Sequence, residues 1–313
     1  MSTGHSLPLA GYRDQIALDL PFVPPADPAA PEAFDELTRD LLVALSADPA
    51  AARLGITADQ VRAAAGTGQR RALLRALLTV RAPDPLPPTA EPLLDALLAG
   101  ERAQRPSVDA TALDPVIRQQ PATRHPAAAT TAVWRGDITT LSVDAIVNAA
   151  NPGLLGCFQP AHRCVDNVVH AAAGPRLRAD CHTVRTAQNN PEPTGTAKIT
   201  RGYHLPARYV LHTVGPVVEH AVTAHHEAAL TAAYLSCLDL AAAVDDIRSV
   251  AFCSISTGLF GFPKPAAARV ALTAVATWLT EHPGRLDRIV FDVYDTADLQ
   301  IYQQAFATWE QPS

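Results

Sequence analysis

From about residue 130 onward, short β-rich runs alternate with longer runs that have helical spacing. The helical runs lie at about 164–182, 223–244, 264–282 and 297–309. β-Branched and aromatic residues, which are typical of strands, form six runs: TTAVWRG, AIVNAA, AKITRGYHL, YVLHTVG, SVAFCSIS and RIVFDVY. This alternation predicts an α/β fold in which helices cover a mostly buried sheet. Open sheets of this class bind ligands at the strand ends, so we expect the functional site there.

The first hundred residues differ in composition, because Ala, Leu, Arg and Pro dominate and β-branched runs are almost absent. Such a composition favours short helices, which we predict at about 32–46, 58–65, 68–80 and 91–102. Farther along, Pro115, Pro121 and Pro126 stand among small residues, which is typical of a linker. We therefore predict an all-α N-terminal extension over residues 1–105, a linker over 106–129 and an α/β domain over 130–313.

The formal net charge of −6 weighs against a partner held mainly by its phosphates, such as a nucleic acid or an anionic membrane. The sequence has no run of 18 apolar residues, and its N-terminus lacks the basic start and apolar run of a signal peptide. We therefore expect a cytoplasmic protein with no nucleic-acid and no membrane partner. The segment Ile56–Val61 and the arginines after it resemble a helix-turn-helix, but the acidic balance of the chain weighs against DNA binding.

All five cysteines lie beyond residue 150, and an odd number in a reducing compartment argues against a disulfide framework. Cys157 and Cys164 stand with His162 within eight residues. Two thiolates and an imidazole suit tetrahedral zinc, and three protein ligands leave one position open, as a catalytic metal needs. The spacing is not that of a common zinc finger, so two buried cysteines and a surface histidine are the alternative.

Polar side chains follow the first two strands of the α/β region. In the turn Gly136–Thr139, Asp137 can accept a hydrogen bond from an exocyclic amine, and the amide of Ile138 can donate to a base or a phosphate. Asn148 and Asn151, at the end of the next strand, can both donate to and accept from sugar hydroxyls. Structural roles are the alternative, because Asp residues form turns and Asn residues cap loops.

Two segments are suited to binding an anion. Residues 164–167 open a helix, where unpaired amides and the positive end of the helix dipole favour negative charge. The segment Ser254–Pro265 joins an apolar strand to a helix, and its two glycines let backbone amides approach a pyrophosphate. This segment matches neither a Walker A loop nor a G-x-G-x-x-G fingerprint, which disfavours an NTPase or a Rossmann dehydrogenase. Alternatively, Asp166 is a plain first-turn carboxylate and Phe260 a core residue.

Taken together, these segments resemble the macrodomain family, which binds ADP-ribose. The resemblance covers about residues 130–312 and implies a three-layer α/β/α fold with a mixed central sheet. Where most macrodomains have a run of glycines, this chain has Gly156–Cys164, which is similar to the zinc-dependent branch of the family. Members of that branch carry an N-terminal helical extension. Five motifs in the family's order carry the resemblance: Gly136–Thr139, Asn148–Asn151, Val165–Asn167 with His170 and Ala173–Pro175, Pro193–Thr200, and Ser256–Gly261.

The resemblance to the zinc-dependent branch implies an enzyme that removes mono-ADP-ribose from proteins. Such enzymes often act on a lipoyl-carrier-like protein that a sirtuin-type ADP-ribosyltransferase has modified. The cofactor would be Zn²⁺, held by Cys157, His162 and Cys164, and the catalytic residues would be Asn151 and Asp166. The residues that contact ADP-ribose would be Asp137, Ile138, Asn151, Cys164, Val165, Asp166, Asn167, Ser256, Thr257, Gly258, Leu259 and Phe260.

The resemblance also implies a division of roles. Asp137 and Ile138 would contact the adenine, with Tyr294 and Asp295 flanking it, and Asn151 would hold the distal ribose. Backbone amides at 164–167 and 257–260 would hold the two phosphates. The bond that is cleaved would be an ester between the distal ribose and a protein carboxylate. The alternative is a reader module that binds ADP-ribose and carries a structural zinc, which a fourth ligand such as Cys181 or His182 would favour.

Overall fold

The computed structural model describes residues 5–24, 27–64 and 66–309. Its described N-terminal part holds five α-helices: α1 (Phe34–Ala44), α2 (Pro49–Arg53), α3 (Ala58–Ala63), α4 (Thr67–Val80) and α5 (Glu91–Gln104). Capping side chains define two of the helix starts. Asp48 accepts from the amide of Ala50 at α2, and Thr57 forms a capping box with Gln60 at α3. The prediction of an all-α N-terminal extension is confirmed, and its apolar core includes Leu41, Leu42, Leu45, Leu74, Leu77 and Leu97.

The six runs predicted as strands all form strands of one sheet. The described residues hold eight strands: β1 (Val108–Asp109), β2 (Thr131–Arg135), β3 (Leu141–Ser142), β4 (Ala145–Ala149), β5 (Ala197–Arg201), β6 (Tyr209–Thr213), β7 (Ser249–Phe252) and β8 (Arg288–Val293). The central sheet has the order β2-β8-β7-β4-β6-β5, and β1 pairs with β3 outside it. Neighbouring strands of the central sheet are parallel except for β5 and β6, which are antiparallel, so the sheet is mixed as predicted.

Helices flank this sheet and confirm the three-layer α/β/α fold. They are α6 (Val116–Gln119), α7 (Val165–Ala173), α8 (Pro175–Gln188), α9 (Ala224–Ala242), α10 (Lys264–Glu281) and α11 (Thr296–Ala307). The single helix predicted over 164–182 is wrong, because the chain forms α7 and α8 there. Gly174 has a left-handed φ of 88°, and Pro175 can begin a helix but lacks the amide needed to continue one. Among the described helices, none combines the length and the apolar character needed to cross a membrane.

Two segments outside the predicted elements also pack into the core around the sheet. Near the N-terminus, Tyr12 is buried, and its hydroxyl accepts from the amide of Ile199 on β5 at 3.0 Å. Residues 106–129, where we predict a linker, contain β1 and α6, and both Val116 and His125 are buried. This segment therefore packs against the α/β layers, while the domain limits at 105 and 130 stay predictions.

The sheet topology brings the predicted site residues to one edge. Five strands, β2, β8, β7, β4 and β6, run in the same direction, so their carboxyl ends lie together. Asp137 follows β2, Asn151 follows β4, Ser256 follows β7 and Tyr294 follows β8. The loops that follow these strands therefore meet at the carboxyl edge of the sheet, where we expect the site.

Candidate functional site

Asp166 lies in the first turn of α7 and is almost enclosed by its neighbours. The residue is 3% exposed, and its Oδ1 accepts a hydrogen bond from Asn148 Nδ2 at 2.8 Å. The same amide donates to His212 Nδ1 on β6 at 3.2 Å. Burial raises the pKa of the Asp166 carboxyl to about 6, and the hydrogen bond from Asn148 and the positive charge of Arg178 oppose this rise. Asn148, on β4, therefore orients the Asp166 carboxyl.

The loop between β4 and α7 brings the predicted metal ligands together. The Sγ atoms of Cys157 and Cys164 and a ring nitrogen of His162 all lie within 4.8 Å of one another, and the three residues are half-buried. Cys157 Sγ is 3.1 Å from His162 Nδ1. Burial raises the pKa of the Cys164 thiol to about 11, so a bound cation has to displace its proton. Two thiols and one imidazole at these separations fit the donor set of a single zinc ion.

Two asparagines hold this loop in shape. Asn151 Nδ2 donates to the carbonyl oxygen of Gly156 at 3.0 Å, and its Oδ1 accepts from the amide two residues on at 2.9 Å. Asn167 Nδ2 donates to the carbonyl oxygens of Gln159 and His162, each at 2.8 Å. The side chain of Asn151 therefore stabilises the loop through hydrogen bonds to its backbone. Its contact with a ribose stays a prediction.

In the part of the chain that the structure describes, no fourth His, Cys, Asp or Glu joins the group of Cys157, His162 and Cys164. Cys181, which the sequence offers as a closing ligand, lies in a second, buried group with His170 and His212. His182 belongs to neither group. A site with three protein ligands has one position open, as catalytic zinc sites do.

Asp137 follows β2 and shapes the turn that contains it. Its Oδ1 accepts from the amide and the hydroxyl of Thr139, at 3.0 and 2.6 Å. Its Oδ2 accepts from Arg105 Nη2 at 2.6 Å, and Arg105 follows directly after α5. The Asp137 side chain is 39% exposed, whereas Ile138 is buried. The N-terminal extension thus supplies Arg105 to this end of the sheet, a contribution that no pattern near Asp137 signals.

The loop 256–260 after β7 presents backbone amides. Ser256 has a left-handed φ of 64°, and its carbonyl oxygen accepts from the amide of Phe262 at 2.9 Å. A Cβ at Gly215 would lie 2.1 Å from Ser256 Oγ, so this close approach requires glycine. No hydrogen bond within the described chain uses the amides of residues 258–260. Unpaired amides in a turn of this kind suit an anion.

The end of β8 carries a buried carboxyl that the sequence analysis misses. Asp292 is 8% exposed, and its Oδ1 has no hydrogen-bond partner among the described residues. Burial and the negative charge of Asp137 raise its pKa to about 8. Tyr294 is 84% exposed, whereas Asp295 caps α11 by accepting from the amide of Asp298 at 2.8 Å. In the sequence, Asp292 stands within a run of apolar strand residues. Its burial and the lack of a partner for Oδ1 among the described residues result from the packing of the sheet.

Sequence comparisons relate this chain to a described family and to curated relatives. The family model described as Macro domain matches residues 147–271. The protein-ADP-ribose hydrolase of Treponema medium is 49% identical over 172 residues, which are 55% of this chain and 65% of that protein. The protein-ADP-ribose hydrolase of Staphylococcus aureus (strain MSSA476) is 49% identical over 175 residues, 56% of this chain and 65% of that protein. The chain thus spans 65% of the length of these curated relatives.

Comparison with solved structures shows that the similarity of this chain to macrodomains includes the fold. The Trypanosoma brucei macrodomain in complex with ADP-ribose is 33% identical, with a TM-score of 0.55 over 74% of this chain and 94% of that chain. The Trypanosoma brucei macrodomain in complex with ADP is 38% identical, with a TM-score of 0.54 over 64% of this chain and 76% of that chain.

Proposed function

Because this chain belongs to the macrodomain family, we propose that it is a zinc-dependent hydrolase that removes mono-ADP-ribose from modified proteins. Relatives that are 49% identical are named protein-ADP-ribose hydrolases, which supports this activity. A macrodomain that is 33% identical has been solved with ADP-ribose, which supports the ligand. The substrate that we propose carries the ADP-ribose as an ester of a protein carboxylate.

The observation that carries the proposal is the convergence of Cys157, His162 and Cys164 directly before α7. The first turn of this helix contains Asp166, so a candidate metal position and a buried carboxyl are neighbours at the strand ends. A reader module with a structural zinc calls for a fourth protein ligand, and none joins this group among the described residues. The open position favours a hydrolase over a reader.

The residues of this chain have distinct roles in the proposed reaction. Cys157, His162 and Cys164 would hold a zinc ion, which would supply Lewis-acid chemistry at this loop. Asp166 accepts the proton of the attacking water or ribose hydroxyl, and the hydrogen bond from Asn148 holds its Oδ1 in place. The ester bond to the protein carboxylate breaks, and the carboxylate leaves. Asn151 positions the distal ribose and, through its contact with Gly156, the loop that carries the metal ligands.

The loops at the strand ends bind the rest of the ligand in this proposal. Asp137 and Ile138 contact the adenine, and the exposed ring of Tyr294 covers it. The unpaired amides of residues 258–260 and those of the first turn of α7 hold the two phosphates. The protein partner that we propose is a lipoyl-carrier-like protein modified by a sirtuin-type ADP-ribosyltransferase. We further propose a cytoplasmic location without a nucleic-acid or membrane partner.

Release of ADP-ribose from a modified carrier protein tests the proposal. We expect the zinc-loaded chain to release free ADP-ribose from a carrier that is modified on a carboxylate. Cys157→Ala should slow release at least about 100-fold, because Lewis-acid stabilisation of a transition state is worth several kcal/mol. The control His225→Ala removes an exposed imidazole from α9 and should leave the rate unchanged.

Three outcomes would contradict parts of this proposal. Binding of ADP-ribose without any release by the zinc-loaded chain would identify a reader. Full activity of metal-free Cys157→Ala would exclude a catalytic zinc at this loop. Release from an arginine-linked carrier but not from the ester-linked one would exclude the proposed linkage.

A further inference from the structure

Arg178 on α8 reaches the end of a helix in the N-terminal extension. The residue is 6% exposed, and its guanidinium is satisfied by backbone carbonyl oxygens. Nη1 donates to the carbonyl oxygens of Leu78 at 2.8 Å and Arg81 at 2.7 Å, and Nη2 donates to that of Thr79 at 3.1 Å. These acceptors belong to the last turn of α4 and the residue that ends it, where carbonyl groups lack partners within the helix. One side chain of α8 therefore caps α4.

The same guanidinium also contacts the loop that carries the predicted metal ligands. Arg178 Nε donates to the carbonyl oxygen of Leu155 at 2.8 Å. Its Cζ lies 4.7 Å from the centroid of the Phe158 ring, in cation–π geometry. Leu155 and Phe158 stand on either side of Cys157, and Phe158 has a left-handed φ of 56°. Arg178 therefore contacts the chain on both sides of a ligand residue, through the backbone at Leu155 and the side chain at Phe158.

Only a planar fork of donors can make these contacts together. Arginine has five N–H donors in fixed directions, whereas a lysine ammonium is a single flexible point of charge. The Nε of Arg178 is directed to Leu155, and its two Nη atoms are directed to the end of α4. A displacement of α4 would therefore move the same rigid group that holds the loop.

We propose that Arg178 is a positioning residue through which the position of α4 sets the geometry of the loop 155–164 and its affinity for zinc. This inference rests on the proposed function only in that Cys157, His162 and Cys164 are taken as the zinc ligands. The N-terminal extension then acts on the metal site through Arg178. Partners that orient metal-binding groups typically change metal affinity or activity about 10- to 100-fold when they are lost.

The neighbouring Arg176 provides a matched control. It also extends from α8 to the N-terminal extension, where it pairs with Asp95 and Glu91 of α5, with Nη2 2.7 Å from the Glu91 carboxylate. Within the described chain, Arg176 makes no hydrogen bond to the loop 155–164. Replacing Arg176 therefore weakens the contact between the two parts but leaves the contacts of the loop intact.

The test measures zinc affinity and loop protection in the full chain. Zinc dissociation constants come from competition with a chelator of known affinity, for the wild type, Arg178→Lys and Arg176→Lys. We expect Arg178→Lys to weaken zinc binding about 10- to 100-fold and Arg176→Lys to leave it unchanged. Amide hydrogen exchange of the metal-free chains should be faster in residues 155–164 for Arg178→Lys alone.

Equal zinc affinity and equal loop exchange in the wild type and Arg178→Lys would overturn the inference. Equal weakening by both substitutions would also overturn it, because the effect would then be a general loosening of the interface. If Arg178→Lys does not fold, Phe158→Leu removes the stacked ring but leaves the bonds to α4, and unchanged loop exchange in that variant would count against the inference. Zinc binding without ADP-ribose release would contradict the proposed function but not the role of Arg178.

Discussion

Two aspartates near the adenine end of the proposed site show how the surroundings of a carboxyl group determine its pKa. Asp137 is partly exposed and accepts hydrogen bonds from Thr139 and Arg105. Asp292 is buried and has an oxygen without a partner among the described residues. Burial, together with the negative charge of Asp137, raises the pKa of Asp292 to about 8, so this carboxyl is largely protonated at neutral pH.

Substitution of Asp292 should remove part of the pH dependence of stability. Its folded pKa of about 8 lies above the ordinary value of 3.8, so the folded chain holds this proton more tightly than the unfolded chain. The group thus stabilises the fold at low pH, and this contribution declines as the pH rises from about 4 to about 8. The expected slope is up to about 1.4 kcal/mol of unfolding free energy per pH unit. Asp292→Asn should lack this slope and exceed the wild type in stability above about pH 8.

Chemical denaturation at about pH 5, 7 and 9 measures this difference. The control Asp59→Asn changes an exposed carboxylate on α3 and should keep the slope of the wild type. An Asp292→Asn variant with the same slope as the wild type would show that this carboxyl is ionised in the folded chain at neutral pH.

A buried ion pair joins several elements beside β5. The side chains of Glu192 and Lys198 are 0% and 1% exposed, and they lie 2.9 Å apart. Glu192 also accepts from Gln188 Nε2 at the end of α8 and from Ser6 Oγ near the N-terminus, each at 2.9 Å. Because all these partners surround one carboxylate, the pair links the N-terminal segment and α8 to the antiparallel edge of the sheet.

Loss of the cation from this pair should destabilise the chain strongly. Lys198→Met leaves the Glu192 carboxylate buried without a countercharge, which costs about 3–5 kcal/mol. The double variant Glu192→Gln/Lys198→Met should recover most of that loss, since replacing both charges is often close to neutral. Urea unfolding measures both changes. The exposed pair of Arg118 and Asp114 provides a control, and Arg118→Met should cost no more than about 1 kcal/mol. A double variant no more stable than Lys198→Met would argue against charge burial as the cause.

The N-terminal extension and the α/β layers meet around Asp95 of α5. This carboxylate is 2% exposed, accepts from His204 Nε2 at 2.9 Å and pairs with Arg176 of α8. Although burial opposes it, these hydrogen bonds lower the pKa of Asp95. The junction is also tightly packed, since a Cβ at Gly174 would lie 2.8 Å from Leu98 Cδ1. Polar pairing and close packing thus couple two separate apolar cores.

This coupling should make the whole chain unfold as one unit. We expect a single calorimetric transition for the wild type and two separate transitions for Asp95→Ala, which leaves Arg176 and His204 without their buried partner. Asp95→Ala should lower the free energy of unfolding by about 3 kcal/mol or more, because a buried charge pair is broken at the junction. Glu91→Ala is the control, because Glu91 also pairs with Arg176 but is 46% exposed in its side chain. One transition at the wild-type temperature in Asp95→Ala would show that the two cores are coupled by other contacts.

Local patterns were sufficient to predict the six strands of the central sheet, the helical N-terminal extension and the grouping of two cysteines with a histidine. Strand-forming runs, helical spacing and capping residues act among close neighbours in the chain, so all six strands of the sheet and the helical extension follow from them. Cys157, His162 and Cys164 stand within eight residues, so a short loop alone can bring them together. The break at Gly174 is also a local feature, which the prediction of one helix over 164–182 overlooked.

Long-range contacts depend on how the layers pack. Arg178 and Leu78 are 100 positions apart, and Arg105 and Asp137 are 32 apart, so no local pattern indicates that they meet. Asp292 Oδ1, which has no partner in the described part of the chain, and the grouping of Cys181 with buried histidines likewise arise from the assembled sheet and helices. Periodicity and turn chemistry are set by adjacent residues, whereas desolvation, charge pairing and hydrogen-bond partners are set by the neighbours that folding brings from elsewhere in the chain.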